Sequence, residues 1–244
     1  MSRLNKTPND KLKDISVAPI AAGDARRIVI ASHYMKTFPQ GAKLCFGVFH
    51  RSIVVGVAVF GYSSSTQAKA EALVSDIKKR EYIEMQRLWI NDNMGHSTES
   101  YTLARLVDIF KKQTELKLIV THAGGCKDDC GIVYQASAWL YFGSDKCSDF
   151  YLTKACEYKN MIAALRFGRV SAKGKTKQQV GEELFGAGEV VDAHRHLYAY
   201  PIHKGIRRRL NKIALPYPKR SKNFRYNQNW VEDAGDGNRV AGND

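Results

Sequence analysis

Two runs dense in Val, Phe and Ile, Lys43 to His50 and Ser52 to Gly61, stand back to back with only a turn at Arg51-Ser52 between them. β-Branched and aromatic residues suit a pleated, half-buried surface, and so short a turn joins antiparallel neighbours, so the pair predicts a β-hairpin within a sheet. A two-stranded ribbon alone is marginal in water, so other elements must cover it. Asp24 is a candidate cap for a helix from about Ala25 to His33, with Ile28, Val29 and Ile30 as its buried side. A mixed polar segment, Ser63 to Arg80, precedes a strand from Tyr82 to Asn91. That strand passes through Asp92-Asn93-Met94-Gly95-His96-Ser97-Thr98 into a helix from about Glu99 to Gln113, where Leu103, Leu106, Val107 and Phe110 recur at helical spacing. Strands at Lys117 to His122 and Asp149 to Thr153, a short helix from Gln178 to Phe185 and a last strand from about Ala193 to Ile202 complete the series. Helix, hairpin, strand, helix, strand, helix, strand is the order of an α/β (α+β) domain with a mixed sheet and helices on its faces.

Three places along this frame carry chemistry. The stretch Gly131 to Gly143, after the loop Ala123 to Cys130, reads as a turn and then a helix with polar side chains on an apolar surface. Tyr134 and Gln135 are costly in a core, at roughly 1–3 kcal/mol for each polar group without a partner, and are site candidates for that reason. The turn Asp92 to Thr98 is the second place, because a strand feeding a helix N-terminus offers an anion free N–H groups and the helix dipole. Capping by Ser97 or Thr98 is the simpler role for those residues and does not exclude phosphate. The third is the last strand, whose alternation puts His194, His196, Tyr198 and Tyr200 on one face, either as a site or as a solvated sheet edge.

Charge narrows the partner. The chain of 244 residues carries a net charge of +14, with an isoelectric point near 9.6. From Lys204 to Arg225 it has Lys204, Arg207, Arg208, Arg209, Lys212, Lys219, Arg220, Lys222 and Arg225 and no acidic residue, with Tyr217, Phe224, Tyr226 and Trp230 interleaved. Such a mixture contacts phosphates and stacks on exposed bases, so DNA is the expected partner; a solvated helix face with a loose tail is the bland alternative. The five cysteines are odd in number and no export signal precedes them, which favours reduced thiols. Cys126-x-x-x-Cys130 with His122 lacks the second ligand pair of a structural zinc site. No run approaches the ~18 apolar residues of a membrane span, so no membrane partner and a cytoplasmic location are expected. We divide the chain into a flexible polar arm (1–20), a catalytic domain (21–203) with a basic insertion around 155–188, a basic extension (204–232) and a disordered tail (233–244).

Several motifs in succession resemble one family. They are His33-Tyr34 after the first helix, the Phe60-Gly61 strand end, Arg87-Leu88-Trp89-Ile90-Asn91-Asp92, the turn Ser97-Thr98-Glu99-Ser100, Ile132-Val133-Tyr134-Gln135-Ala136 and the basic Leu215-Pro216-Tyr217-Pro218-Lys219-Arg220. Together, over roughly Asp24 to Arg220, they resemble the Mom family, DNA-modification proteins of Mu-like phages. The resemblance implies a GNAT-like acyltransferase fold with a mostly antiparallel sheet, and modification of adenine N6 in DNA by a carbamoylmethyl group that evades host restriction. It also implies acetyl-CoA, or a related acyl-CoA, as carbon donor, with the pantetheine along Arg87, Leu88, Trp89 and Ile90 and the pyrophosphate at Ser97, Thr98 and Ser100. Two departures stand out: the turn has only Gly95 in place of a glycine-rich signature, and Gly124 stands where many relatives have an acid, leaving Asp128 or Asp129 to supply one.

An adenine amino group is a poor nucleophile inside a duplex, so the base must be flipped or met unpaired. Tyr34 and Tyr134 are candidates for base contact or proton transfer, and His33 for a neutral base near pH 7, although a helix C-terminal role would equally account for His33. Gln135 suits an adenine edge, and Arg207, Arg208, Lys219 and Arg220 suit phosphates. Acyl transfer alone does not make a carbamoylmethyl group. A redox metal such as iron, held by His33, Tyr34 and an acid such as Asp128, is one candidate for the missing step. Two other classes remain open at this point: an acetyltransferase acting on a protein or small amine, and a basic DNA-binding protein without catalysis. A monomer and a dimer are equally compatible with the sequence.

Overall fold

The computed structural model describes residues 9–33, 35–124, 129–155, 158–166 and 170–219. They form two compact units. The first takes the described residues up to Ala123 together with Gly131–Ser144 and His196–Pro218; the second takes Asp145–Arg195 with the short pieces at 124, 129–130 and 219.

The hairpin forms as its composition requires. Strands β2 (Ala42–His50) and β3 (Ile53–Gly61) pair antiparallel from Ala42↔Gly61 to His50↔Ile53. Arg51 and Ser52 both take positive φ, 48° and 74°, the twist that a two-residue hairpin turn needs. Strand β1 (Ile15–Pro19), which follows a 3-10 turn at Asp10–Asp14, pairs antiparallel with β2. Residues 10–19 are therefore structured, where an arm was expected; alternate burial of Ile15 against Val48 and Val55 draws them onto the sheet.

Helix α1 (Ala22–Ser32) begins three residues earlier than its composition suggested, with Ala21 at the cap. Asp24 lies inside the first turn, paired with Arg27, and is not the cap. Only Ala25 and Val29 are buried; Ile28 is partly covered and Ile30 is 42% exposed, because a helix turns a single stripe inward. Helix α2 (Thr66–Leu73) occupies the polar segment before β4 (Tyr82–Ile90). Helix α3 (Thr98–Gln113) buries Leu103, Leu106, Val107 and Phe110, the four residues its periodicity singled out.

Strand β5 (Leu118–Ala123) runs parallel to β4, and β8 (Gly188–Pro201) pairs antiparallel with β5. Helix α4 (Ile132–Ala136) is only five residues long. The helix expected to reach Gly143 stops because Ala138 takes φ 56° and the chain turns into β6 (Leu140–Thr153). Burial then alternates: Trp139 and Tyr141 enter one core cluster, while Leu140 and Phe142 pack against another. The sheet order is β1-β2-β3-β4-β5-β8-β6-β7, mixed and mostly antiparallel. β8 is thus an interior strand and not a solvated edge. Helix α7 (Lys204–Leu210) follows it.

In β3, Val57 and Val59 join the cluster around α1, while Ala58 and Phe60 join the one around α3, so the two helices cover opposite faces of the sheet. In the second unit, β7 (Tyr158–Asn160), α5 (Met161–Arg166) and α6 (Lys177–Phe185) accompany the distal parts of β6 and β8. Thr176 and Gln179 cap α6 reciprocally. Gly181 lets the helix lie flat on Tyr151, whose ring carbon would be 2.1 Å from any Cβ there.

Candidate active site

β4 leaves β5 early. The parallel register covers only Tyr82↔Leu118, Ile83↔Ile119 and Glu84↔Val120, although β4 continues to Ile90 against β3. At this point Gln86 is the extra residue of a β-bulge, since Phe60 pairs with Met85 and Val59 with Arg87. The Thr121 hydroxyl donates to the Met85 carbonyl at 2.9 Å, and the Gln86 Oε1 is buried with no hydrogen-bond partner among the described residues. Below this opening, Glu84 is buried and ion-paired to Lys69 at 2.6 Å, and it also accepts from Thr66. These partners hold its carboxyl below the usual range even though burial opposes them.

His33 stands at the C-terminal end of α1, 4% exposed, with its backbone N–H closing the last helical turn on Val29. Its Nδ1 accepts from the Met35 amide at 3.0 Å. Burial, and then the positive charges of Arg87 and Lys36, push its pKa down to about 3, so the ring is neutral. A neutral ring whose Nδ1 accepts carries its proton on Nε2, and it therefore presents a donor instead of a lone pair. Neither nitrogen in that state fits a metal ion. Arg87 is occupied as well: Nε donates to the Thr37 carbonyl at 3.1 Å, Nη2 to the Thr37 hydroxyl at 3.2 Å and Nη1 to the Gln86 carbonyl at 2.6 Å. These bonds pin Thr37 onto the bulge. Leu88, Trp89 and Ile90 are committed to packing on alternating faces.

On the other face an aromatic group surrounds the start of α4. Tyr134 is 9% exposed and packs with Trp139 and Tyr198 at centroid distances of 5.3 and 5.4 Å. Tyr198 continues to Tyr141 at 5.2 Å, and the Tyr141 hydroxyl meets His196 Nδ1 at 3.1 Å. The amide of Gln135 donates to the Tyr198 hydroxyl at 3.0 Å and to the Pro218 carbonyl at 3.2 Å, so it is used inside the unit. Gly131, with φ 70°, starts α4; a Cβ there would lie 2.5 Å from that of Ala123 and 2.8 Å from the Tyr198 ring.

Beside α3 runs a cleft of about 410 Å³ lined by Ser97, Ser100 and Tyr101 on one side and Ser137, Trp139 and Tyr200 on the other. Neither Ser97 nor Thr98 caps the helix. Ser97 is left-handed with φ 68°, and Thr98 instead donates to the Met94 and Gly95 carbonyls. Ser100 donates to the Ser97 carbonyl, and Asn9 clamps the Met94 and His96 carbonyls. Burial, with Asp92 adding to it, raises the pKa of Glu99 in the first turn. Trp139 is 1% exposed and its Nε1 has no acceptor among the described residues; the Thr102 hydroxyl is likewise buried and unpaired. These orphaned donors and the Gln86 oxygen fit a ligand that brings its own amide and carbonyl groups, as the pantetheine arm of an acyl-CoA would.

Of the residues expected to act together, the structure joins His33 with Arg87 and Gln135 with Tyr134, but on opposite faces of the sheet. Tyr34, Asp128 and Arg220, with Phe224, Tyr226 and Trp230, lie outside the described residues. No group of three metal-ligating side chains occurs among the described residues. Arg207 stacks over Tyr200 at 4.7 Å, Arg208 is exposed, and Lys219 is exposed in the second unit. Sequence reasoning missed Gln86, Tyr101 and Trp139 as site residues. Only an alternation of Trp139 and Tyr141 against Leu140 and Phe142 hinted at the third. No helix of the described residues is long and apolar enough to cross a membrane.

A mixed α/β unit with an opened parallel strand pair and a cleft at the following helix defines the class. The family model described as the Mom protein family matches residues 14–219, and the chain belongs to that family. The methylcarbamoylase mom of Escherichia phage Mu is 26% identical over 214 residues, 85% of each chain. Among solved structures, a GNAT family acetyltransferase from Elizabethkingia anophelis with acetyl-CoA bound has a TM-score of 0.41 at 12% identity, covering 77% of this chain and 98% of that one. A Drosophila melanogaster polyamine N acetyltransferase has a TM-score of 0.42 at 12% identity, covering 77% and 100%. The assignment rests on the family match.

Proposed function

We propose that this protein modifies the amino group of adenine in DNA with a carbon unit taken from an acyl-CoA, as a phage-type protection against restriction. The observation that carries this reading is the cleft at the start of α3, with orphaned buried polar atoms beside it and at the β4 bulge, in a chain whose family includes a methylcarbamoylase. Bound acyl-CoA supplies the activated carbonyl as a thioester, with the CoA thiolate as leaving group and final acceptor of the amine's proton. Gln86 Oε1 and Trp139 Nε1 hold the arm; the first turn of α3, uncapped by side chains, receives the phosphates. His33, buried and neutral at the end of α1 on the sheet face away from the cleft, packs beside Arg87 as a structural support and does not meet the arm. Arg87 holds Thr37 onto the bulge, which is likewise a structural role. Tyr134 and Tyr198 form the apolar wall on the opposite face. A carbamoylmethyl product joins N6 to the methylene and not to the acyl carbonyl, so it requires, beyond acyl transfer, a nitrogen source for the amide and a two-electron oxidant at that carbon.

The test is mass spectrometry of nucleosides digested from plasmid DNA of cells expressing the intact protein or a His33→Ala, Tyr134→Phe double variant. A heavier deoxyadenosine with the intact protein alone is expected, and its mass identifies the group. An unmodified profile from soluble protein would overturn the reading in favour of a protein or small-amine acceptor.

A further inference from the structure

After α7 the chain does not leave the surface freely. Leu215 N–H donates to the Tyr141 carbonyl at 2.8 Å, the Tyr217 hydroxyl donates to the Trp139 carbonyl at 2.7 Å, and the Pro218 carbonyl accepts from Gln135 at 3.2 Å. This strap is pinned at three successive points, and Pro216 and Pro218 stiffen it. Yet it turns apolar groups outward: Ile213, Leu215 and Tyr217 are 54%, 50% and 42% exposed at two-residue spacing. Large exposed apolar groups on a rigid segment call for a partner. The surrounding charge selects which. From residue 204 to 219 there is no acidic residue, Lys204, Arg208 and Lys212 are exposed, and Arg207 lies flat on Tyr200. Arg209 is discounted because Asp76 pairs with it. An anchored, exposed aromatic ring that follows an exposed cationic helix in the chain offers a stacking surface for an unpaired base, with cations of the same segment to meet its phosphates.

We propose that the strap Ile213–Pro218 binds DNA with an unstacked base, Tyr217 taking the base face and Arg208 and Lys212 the flanking phosphates. This rests on the reading that the protein acts on DNA and specifies the form of that DNA. Tyr217 is anchored to Trp139, which lines the α3 cleft, so a base seated on it is held next to the cleft.

Binding of a short single strand, of the matched duplex and of a duplex with one unpaired adenine is measured by fluorescence anisotropy at fixed salt. Tyr217→Ala is expected to weaken the single strand and the unpaired-adenine duplex about tenfold and the matched duplex no more than about twofold. Tyr217→Phe keeps the ring, loses the tether and falls between. With the unaltered protein, a fluorescent adenine analogue in the single strand is quenched on binding, a readout independent of any variant's folding. Equal weakening of all three DNAs, no weakening, or no quenching overturns the strap assignment while DNA binding itself stands. Absence of binding to every DNA by the unaltered protein overturns the strap and the DNA reading together.

Discussion

His33 shows how a single hydrogen bond decides what a side chain offers. The Met35 amide occupies Nδ1, the ring is buried, and Arg87 adds its charge nearby, so a proton is refused down to about pH 3. The unfolded chain accepts that proton near pH 6.5. Folded-state pKa below unfolded-state pKa for a base means that stability is full above about pH 6.5 and falls as pH drops toward about 3. Glu84, whose pKa is lowered, keeps its contribution until pH falls below the usual carboxylate range, so the span between about pH 6.5 and 4.5 carries the His33 loss, offset in part near its acid end by Glu99, whose raised pKa makes protonation stabilising. We expect unfolding free energy to drop by roughly 2–3 kcal/mol across that span, and His33→Asn, which keeps an acceptor for Met35, to lose most of the slope. Urea midpoints at the two pH values measure it, and equal slopes for both proteins would contradict the buried neutral state.

At the scale of elements, the backbone at Gly124 decides which residues the position accepts. Its φ is +118°, and a Cβ would stand 2.2 Å from the His194 carbonyl oxygen within the second unit. An L side chain is strained there and meets backbone, so the acid that the family resemblance led us to expect at this position is sterically excluded. Gly124→Asp is expected to lower stability by about 2 kcal/mol or more without raising modification, which thermal melts and the nucleoside assay report together. Other elements were legible in proportion to how local their causes are. The α3 stripe and the β2–β3 hairpin follow from spacing and composition, and both appeared where expected. The early end of α4 turns on one left-handed residue, Ala138, which composition does not announce. The place of β8 between β5 and β6 depends on pairing across the chain, so the shared face of His196, Tyr198 and Tyr200 was readable but its burial was not. The caps expected of Asp24 and Thr98 failed for a similar reason, since the carboxylate and the hydroxyl found other partners, and Ser97 makes no capping bond from its left-handed backbone. The same holds at the site: His33 and Arg87 were visible as a motif, whereas Gln86 gains its meaning only from the bulge.

For the whole molecule, a charge of +14 matters through where it is free to act. Several cations are already neutralised: Lys69 by Glu84, Lys117 by Glu81 and Arg209 by Asp76. On α7 and the turn after it, Lys204, Arg208 and Lys212 are exposed and stand in a run without acids, which makes them the part of the first unit best placed to meet phosphates. Each phosphate neutralised releases condensed counterion, so the logarithm of duplex affinity should fall with the logarithm of salt by about 0.9 per contact. Replacing all three with Ala is expected to lessen that slope by roughly 2–3 and to weaken every duplex sequence alike. Arg209→Ala, which removes a cation already engaged by Asp76, should change the slope by less than about half a unit. A salt titration of duplex binding for the three proteins decides the matter: a slope unchanged by the triple substitution would place the duplex on another surface, whereas a slope reduced equally by Arg209→Ala would show that the Asp76 pair opens when DNA arrives.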